Sequence, residues 1–483
     1  MASTAVSTEG PGTPAQTRES LYVTWIVVAF LAWLPLQTPI AVVAWQYLHL
    51  SIPAAQAILV LKDVWAASLF LVLLVRHRRQ IHFIWFDWFA LAFGVLVAIY
   101  SIVPAALGSH LPAASVIASA RELLVPVELY GLGRLAGYAG VSTRFLTMAF
   151  LVIAGVAAVF SVGAMALFSQ TFWTTTYNLV GFIHDVQGIT SATTIWWASI
   201  LANYGVDGWA VRAVGPFTHP VGTGVYFAMP MVMVVCAAWM TDRRKRKMMV
   251  VGALAVTLFG LALITPISRG TWIGFLGATV VCGAVLHKYR LAALTIILFV
   301  AYIAIVPPFN STIVSLIDGS DDSAAGHKAA IVTGIQVITA SPGGSGVGQG
   351  DQYGQALAGA AQAAGVGENM YLTTYASTGP VGLVAFAVWL GAVLWSLMIR
   401  LRPTLPVWIS VGVGAGLLAV AAAGMTASTL MRFTTAASIW ILVGLVIAVP
   451  TSGSRWIDWR GLRHPHTWLR SRGTKPDAPP AEG

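Results

Sequence analysis

The sequence predicts an all-α, polytopic membrane protein of about twelve transmembrane helices with an extracytoplasmic helical cap. Composition is the first reason: 57% of residues are hydrophobic and 9% charged, against about 25% charged in a soluble domain. The second is the recurrence of long apolar runs, since a helix needs about 20 such residues to cross the hydrocarbon core. Alternating segments of about 10 residues, the mark of a membrane β-barrel, do not occur. The third is the placement of the basic residues.

The elements follow in order. Residues 1–20 are small and polar and predict a disordered cytoplasmic tail. The first apolar run leads straight into another, without the layout of a cleavable signal. Spans are predicted at 21–48, 52–75, 83–105, 112–134, 145–168, 217–240, 248–266, 271–287, 291–307, 379–399, 405–425 and 433–450, inside a domain covering 21–450. The connections that would face the cytoplasm hold Arg76, Arg78 and Arg79, then Arg134 and Arg144, then the run Arg243 to Lys247, then Lys288 and Arg290, then Arg400 and Arg402. Residues 451–483 form a basic cytoplasmic C-terminal tail. Alternate connections are nearly free of Lys and Arg. This is the positive-inside pattern, and it puts both termini in the cytoplasm. The net charge of +10 then faces anionic lipid rather than nucleic acid. Cys236 and Cys282 both lie in apolar runs, so neither a disulfide framework nor a cysteine metal site is expected.

Two outer connections are long, 169–216 and 308–378, and would form the cap. Within the second, HKAAIVTGIQVITA places Ile331, Ile335 and Ile338 on one helical face. SPGGSGVGQG then interrupts the chain, and QYGQALAGAAQAA reads as a further helix. The acidic stretch IDGSDDS, with Asp318, Asp321 and Asp322, reads as a flexible loop. Its spacing is not that of an EF-hand, and no metal site is expected.

Six cations break the orientation rule: Lys62, Arg121, Arg212, Arg269, Lys328 and Arg432. All fall in outer connections or the outer part of a span; Lys62 lies about 21 Å from Arg76 at 1.5 Å per residue. Arg269 is the only charge between Met248 and Leu286, where burial in lipid costs at least ~2.5–3.5 kcal/mol. A short hairpin between two spans would bring it to water or a polar cavity. Arginine offers a permanent charge and a planar fork for phosphate oxygens, so several such groups around one cavity suit a diphosphate. Lys62 beside Asp63 and Arg121 beside Glu122 admit either that role or local pairing. Arg432 either binds an anion or snorkels. Arg212 and Arg269 stand in polar islands with Pro and Gly, RAVGPFTHPVGTG and ITPISRGTWIGFLG. His219, flanked by prolines, is either structural or part of the site. Glu368, in VGENMYLTTYASTGPVGLVAF, is a general base if a substrate hydroxyl comes within reach, or a loop carboxylate. No P-loop, GxSxG, HExxH or Rossmann fingerprint occurs, which disfavours ATP-driven transport and hydrolysis of the soluble kind.

Four stretches in order, RAVGPFTHPVGTGVYFA, ITPISRGTWIGFLG, GHKAAIVTGIQVITASPGGSGVGQG and ENMYLTTYASTGPVGLVAF, resemble the O-antigen ligase and polymerase superfamily of membrane glycosyltransferases. The resemblance spans roughly 205–400. It implies transfer of a glycan from a polyprenyl-diphosphate carrier to an acceptor hydroxyl, on a glycan or a lipid, at the outer face of a bacterial plasma membrane. It implies no nucleotide sugar, metal or other cofactor. Arg212 and Arg269 match the family's two arginines, which hold the diphosphate. Lys328 stands where arginine is usual, His219–Pro220 where Pro–Asn is common, and Glu368 where ligases carry the histidine that activates the acceptor. Glu368, Arg269 and Arg212 are thus the catalytic candidates, with Lys328, Arg121, Lys62, His219 and Arg432 as substrate-binding candidates. Ligase and polymerase both fit, and the Glu368 departure weakens a strict ligase reading. The rival class is a transporter or flippase of lipid-linked glycans. It would use inverted repeats, discontinuous helices and midplane charges; Glu128 and Asp87 are the residues it would cite.

Overall fold

The computed structural model describes residues 18–106, 112–168, 172–188, 215–217, 219–241, 246–306, 314, 322–348, 369–400, 405–427 and 429–448. Among these residues all regular structure is helical. The long helices are α1 (Arg18–Gln46), α2 (Ile52–His77), α3 (Asp87–Ala106), α4 (Ala113–Tyr138), α5 (Thr143–Leu167), α6 (Pro220–Met240), α7 (Arg246–Ile264), α8 (Arg269–Val285), α9 (Tyr289–Ile305), α10 (Asp322–Ala340), α11 (Met370–Trp395), α12 (Val407–Ala423) and α13 (Phe433–Ala448).

Each apolar segment expected from sequence is occupied by one of these helices. Six are long and apolar enough to cross a membrane: α1, α2, α5, α6, α7, and α11 with its π-helical continuation to Arg400. Helices α8, α9, α12 and α13 and the apolar part of α3 are shorter. Helix α4 carries Arg121, Glu122, Glu128 and Arg134 along its length. Two boundaries differ from expectation. Helix α1 begins at Arg18, inside the stretch read as a tail. Helix α11 begins at Met370 rather than near 379, because Asn369 caps it: its Oδ1 accepts from the Tyr371 and Leu372 amides at 3.0 and 3.1 Å.

The burial pattern is that of helices in lipid. Helices α12 and α13 are buried almost throughout, whereas α2 and α7 leave most of their apolar residues exposed. Between apolar helices and apolar solvent, association rests on close packing, which small residues permit. A Cβ at Gly133 of α4 would lie 2.1 Å from the Ile441 carbonyl oxygen, and one at Gly444 of α13 would lie 2.1 Å from that of Tyr130. Gly274 of α8 lets the Ala419 carbonyl of α12 approach in the same way (2.2 Å), and Gly416 of α12 seats Met229 of α6. Large rings fill what remains: Trp389 of α11 stacks on Trp440 of α13 at 4.8 Å, with Tyr130 edge-on to Trp389.

Two polar devices fix the relative heights of the helices. Asp87, at the start of α3, is 8% exposed, and Arg134 of α4 is 7% exposed. Arg134 Nη1 donates to both carboxylate oxygens at 2.9 Å, Tyr130 Oη donates to Oδ1 at 2.6 Å, and the Ile84 amide donates to Oδ2 at 2.9 Å. Arg134 was expected in a basic connection; the structure buries it in an ion pair. The same contacts remove Asp87 from the pool of loose intramembrane charges. The second device is a break in α11. Gly379 has φ 70° and ψ −177°, a region open to glycine alone. Pro380 has no N–H, so the Ala376 carbonyl loses its helical donor. Ser345 replaces it, donating from its amide (2.7 Å) and its hydroxyl (3.1 Å). The segment 341–347 is further pinned by Tyr100 of α3, whose hydroxyl donates to Gly343 O at 2.7 Å, and by Tyr375, which donates to Pro342 O at 2.9 Å.

Candidate functional site

Helices α3 and α8 start at opposite ends of the bundle, because along α3 Phe93 packs on Phe386 and the later Tyr100 lies beside Gly379, an earlier part of α11, while Met370 meets the turn after α12. Five of the six cations that broke the orientation rule are described residues and can be placed relative to the Arg269 end.

Arg269 is the first residue of α8 and is half-buried, with Nη1 shielded from solvent. The hairpin that delivers it is tight. Ile267 adopts φ 50°, unusual for a β-branched residue, and such strain costs of order 1–3 kcal/mol. Trp272 Nε1 donates back to Leu263 O at 3.2 Å and closes the loop. Ser268 and Thr271 exchange a 2.7 Å hydroxyl contact against Gly224 of α6. Glycine is required at 270, since a Cβ there would lie 2.0 Å from Thr426 Oγ1. Arg269 is therefore held against the turn 424–427, at the end of the bundle and not in mid-span.

That turn gathers the other segments. Met370 N donates to Gly424 O at 2.8 Å, and Asn369 Nδ2 donates to Met425 O at 3.0 Å. A small cleft beside it is lined by His219, Gly222, Ala427, Thr429, Arg432 and Thr435, among others. His219 caps α6: its Nδ1 accepts from the Val221 and Gly222 amides at 3.1 and 3.4 Å. With Nδ1 accepting, the neutral ring carries its proton on Nε2, and His219 is both a helix cap and part of the cleft lining. Arg432, which also lines the cleft, precedes Phe433, the first residue of α13.

Phe433 links the cleft to a charge cluster with Lys62 as its buried member. Lys62 Nζ sits 5.6 Å from the centre of its ring, a cation–π contact. Lys62 is 6% exposed and also donates to Leu59 O. Asp63 holds two cations at once: Lys62 at 3.3 Å and Arg121 Nη1 at 3.5 Å. Arg121 thus pairs across helices α2 and α4 with Asp63. The adjacent-residue pairing considered for Lys62 is present, and Arg121 pairs with Asp63. Glu128, two turns along α4, lies in the electrostatic range of Asp63 and Arg121. Leu59 belongs to an apolar cluster in which Trp173, Phe182 and Ile183 pack on the ends of α1 and α2, so residues 172–186 form a lid over this corner.

Lys328 is placed differently. It is exposed on α10, whose described contacts run to α11 and not to the cleft. Arg212 and Glu368 lie outside the described residues, as do Asp318 and Asp321. Three residues of this end were not singled out as site residues in the sequence. Asn369 carries an N-cap signal, a lone Asn ahead of an apolar run. Thr426 and Phe433 carry none.

The cleft is lined by His219 and Arg432, the turn against which Gly270 packs contributes its Ala427, and Lys62 lies behind Phe433, so cationic side chains gather at this end, with Asp63 paired to Lys62 and Arg121. Its chemistry suits a multiply charged anion such as a phosphate ester. No protein-family model matches the chain, and no curated protein is similar to it at a significant level.

Proposed function

We propose that the protein is a metal-independent membrane glycosyltransferase that transfers or polymerises a glycan from a polyprenyl-diphosphate carrier onto an acceptor hydroxyl. In this reading the twelve apolar helices all span the plasma membrane, and the Arg269 end, with α10 and residues 172–186 as its cap, faces outward. The observation that carries it is that His219 and Arg432, far apart in sequence, line one cleft together with Ala427 of the turn against which Gly270, next to Arg269, is packed. Arg269, with Arg212, holds the diphosphate. The acceptor oxygen attacks the anomeric carbon, the bond from that carbon to the phosphate oxygen breaks, and the acceptor proton passes to the Glu368 carboxylate. Charge appears on the leaving diphosphate as the bond breaks, which is where fixed cations contribute most. Configuration inverts in such a single displacement. His219 and Arg432 orient the phosphates at the cleft, with Lys62 and Arg121 behind them.

The test is turnover of a lipid-diphosphate glycan by purified protein in lipid nanodiscs, without ATP or an ion gradient. Arg269→Ala and Arg212→Ala should each abolish the product while thermal unfolding is unchanged. Normal product from both variants would overturn the proposal.

A second reading, a flippase of lipid-linked glycans, draws on the break in α11 at Gly379 and on the charges Lys62, Asp63 and Arg121 within helices. It expects the glycan to cross sealed vesicles with its diphosphate linkage intact.

A further inference from the structure

Helix α10 is packed the reverse way from a helix that lies against a protein in water. The side it buries is small: Ala330 is 4% exposed, and Gly334 lies against Leu372 of α11, where a Cβ would stand 2.8 Å from Cδ1. Its large apolar residues point away from the protein: Ile331 is 41%, Val332 48% and Ile335 51% exposed. The Ile331 and Ile335 face is therefore the outward one, and the helix is seated by its small residues. Small residues at the contact and large aliphatic ones outside is the arrangement of helices in lipid.

Height along the bundle agrees. From Asp87 to Tyr100 helix α3 rises about 20 Å at 1.5 Å per residue, and Trp85 and Trp88, both exposed, flank Asp87 as interfacial residues do. A hydrocarbon core about 30 Å thick starting there extends past Tyr100. Tyr100 is bonded to Gly343, so segment 341–347 sits below the far boundary. Ile335 precedes Ala340 by little more than one turn, about 8 Å, which keeps it within or at that boundary. The surfaces on either side are already apolar and exposed: Ile99 and Ile102 on α3, Val381 and Val384 on α11. The α10 face continues this belt, and exposed Lys328, one turn before Val332, is placed to reach headgroups.

We propose that α10 and segment 341–347 are immersed in the leaflet on the Arg269 side, and that the Ile331–Val332–Ile335 face is covered by lipid hydrocarbon chains. This surface does not depend on the glycosyltransferase reading. The test places a nitroxide at Ile335→Cys in the full-length chain, in a Cys236→Ala, Cys282→Ala background, reconstituted in phosphatidylethanolamine–phosphatidylglycerol vesicles. Collision rates with oxygen and with a water-soluble nickel chelate are compared with those at Val384→Cys and Arg79→Cys. The expected result is a high oxygen rate and a low nickel rate, matching Val384→Cys. A high nickel rate like that at Arg79→Cys means a water-facing helix and overturns the proposal. Low rates with both reagents mean a face covered by protein and overturn it as well. Ile331→Cys and Val332→Cys give the same readout should Ile335→Cys fail to fold.

Discussion

Gly270 shows how much of this site depends on the absence of a single atom. Gly270→Ala sets a methyl against Thr426 Oγ1, and overpacking of this kind costs typically 1–3 kcal/mol. The expected result is a lower unfolding temperature in detergent, partly restored by Thr426→Ala, which removes the nearest obstructing atom. The Asp87–Arg134 pair makes a second case. Asp87→Asn or Arg134→Met alone should destabilise by about 3–5 kcal/mol, because each strands a buried partner. An apolar replacement of both, Asp87→Leu with Arg134→Met, should recover much of that loss, and chemical unfolding of the four proteins measures the coupling. The sequence made Arg269, His219 and Arg432 legible, since a charge in an apolar run or a histidine between prolines has to be accounted for. It made half of the Lys62–Asp63–Arg121 cluster legible. Adjacency reveals the Lys62 pair, but the reach of Asp63 to Arg121 depends on which helices are neighbours, and spacing along one chain carries no such information.

At the scale of the element, apolar run length located the helices well and their ends less well. Helix α11 starts early because an Asn cap, not hydropathy, decides where it begins. The sequence shows that helix α10 is amphipathic, with Ile331, Ile335 and Ile338 on one face, but not which way that face points, because in water large apolar residues turn inward. The rule reverses when the solvent is itself apolar, and the pattern alone does not state the solvent. The α11 break is the most exacting element. Gly379→Ala would need φ 70° for a residue with a side chain and would bring Cβ within 2.4 Å of Gly343 O. The expected outcome is faster amide hydrogen exchange across 341–347 and through the first turns of α11, with α12 and α13 unchanged. Exchange confined to its former level in 341–347 would show that the junction tolerates the methyl.

For the whole molecule, glycine closes the seams α4–α13 and α8–α12, while ion pairs join α2 and α3 to α4. Gly133→Leu should separate α4 from α13 and lower the unfolding temperature more than a leucine at Gly155 of α5, where a Cβ meets nothing within 4 Å. Thermal unfolding of the two variants in the same detergent tests this. Composition announced the membrane class, but charge placement was a blunter guide than counting suggests, because Arg134 is a buried ion-pair partner and no free marker of orientation. The α11 break also bears on biosynthesis. Tyr100, which holds Gly343, and Ser345, which donates to the Ala376 carbonyl, both leave the ribosome before Ala376 and Pro380 do, so the donor that completes the broken turn is already synthesised when it arrives. The vulnerable carbonyl is met by a waiting partner, and a chain permuted to make α11 first would have to leave it bare until the rest was synthesised.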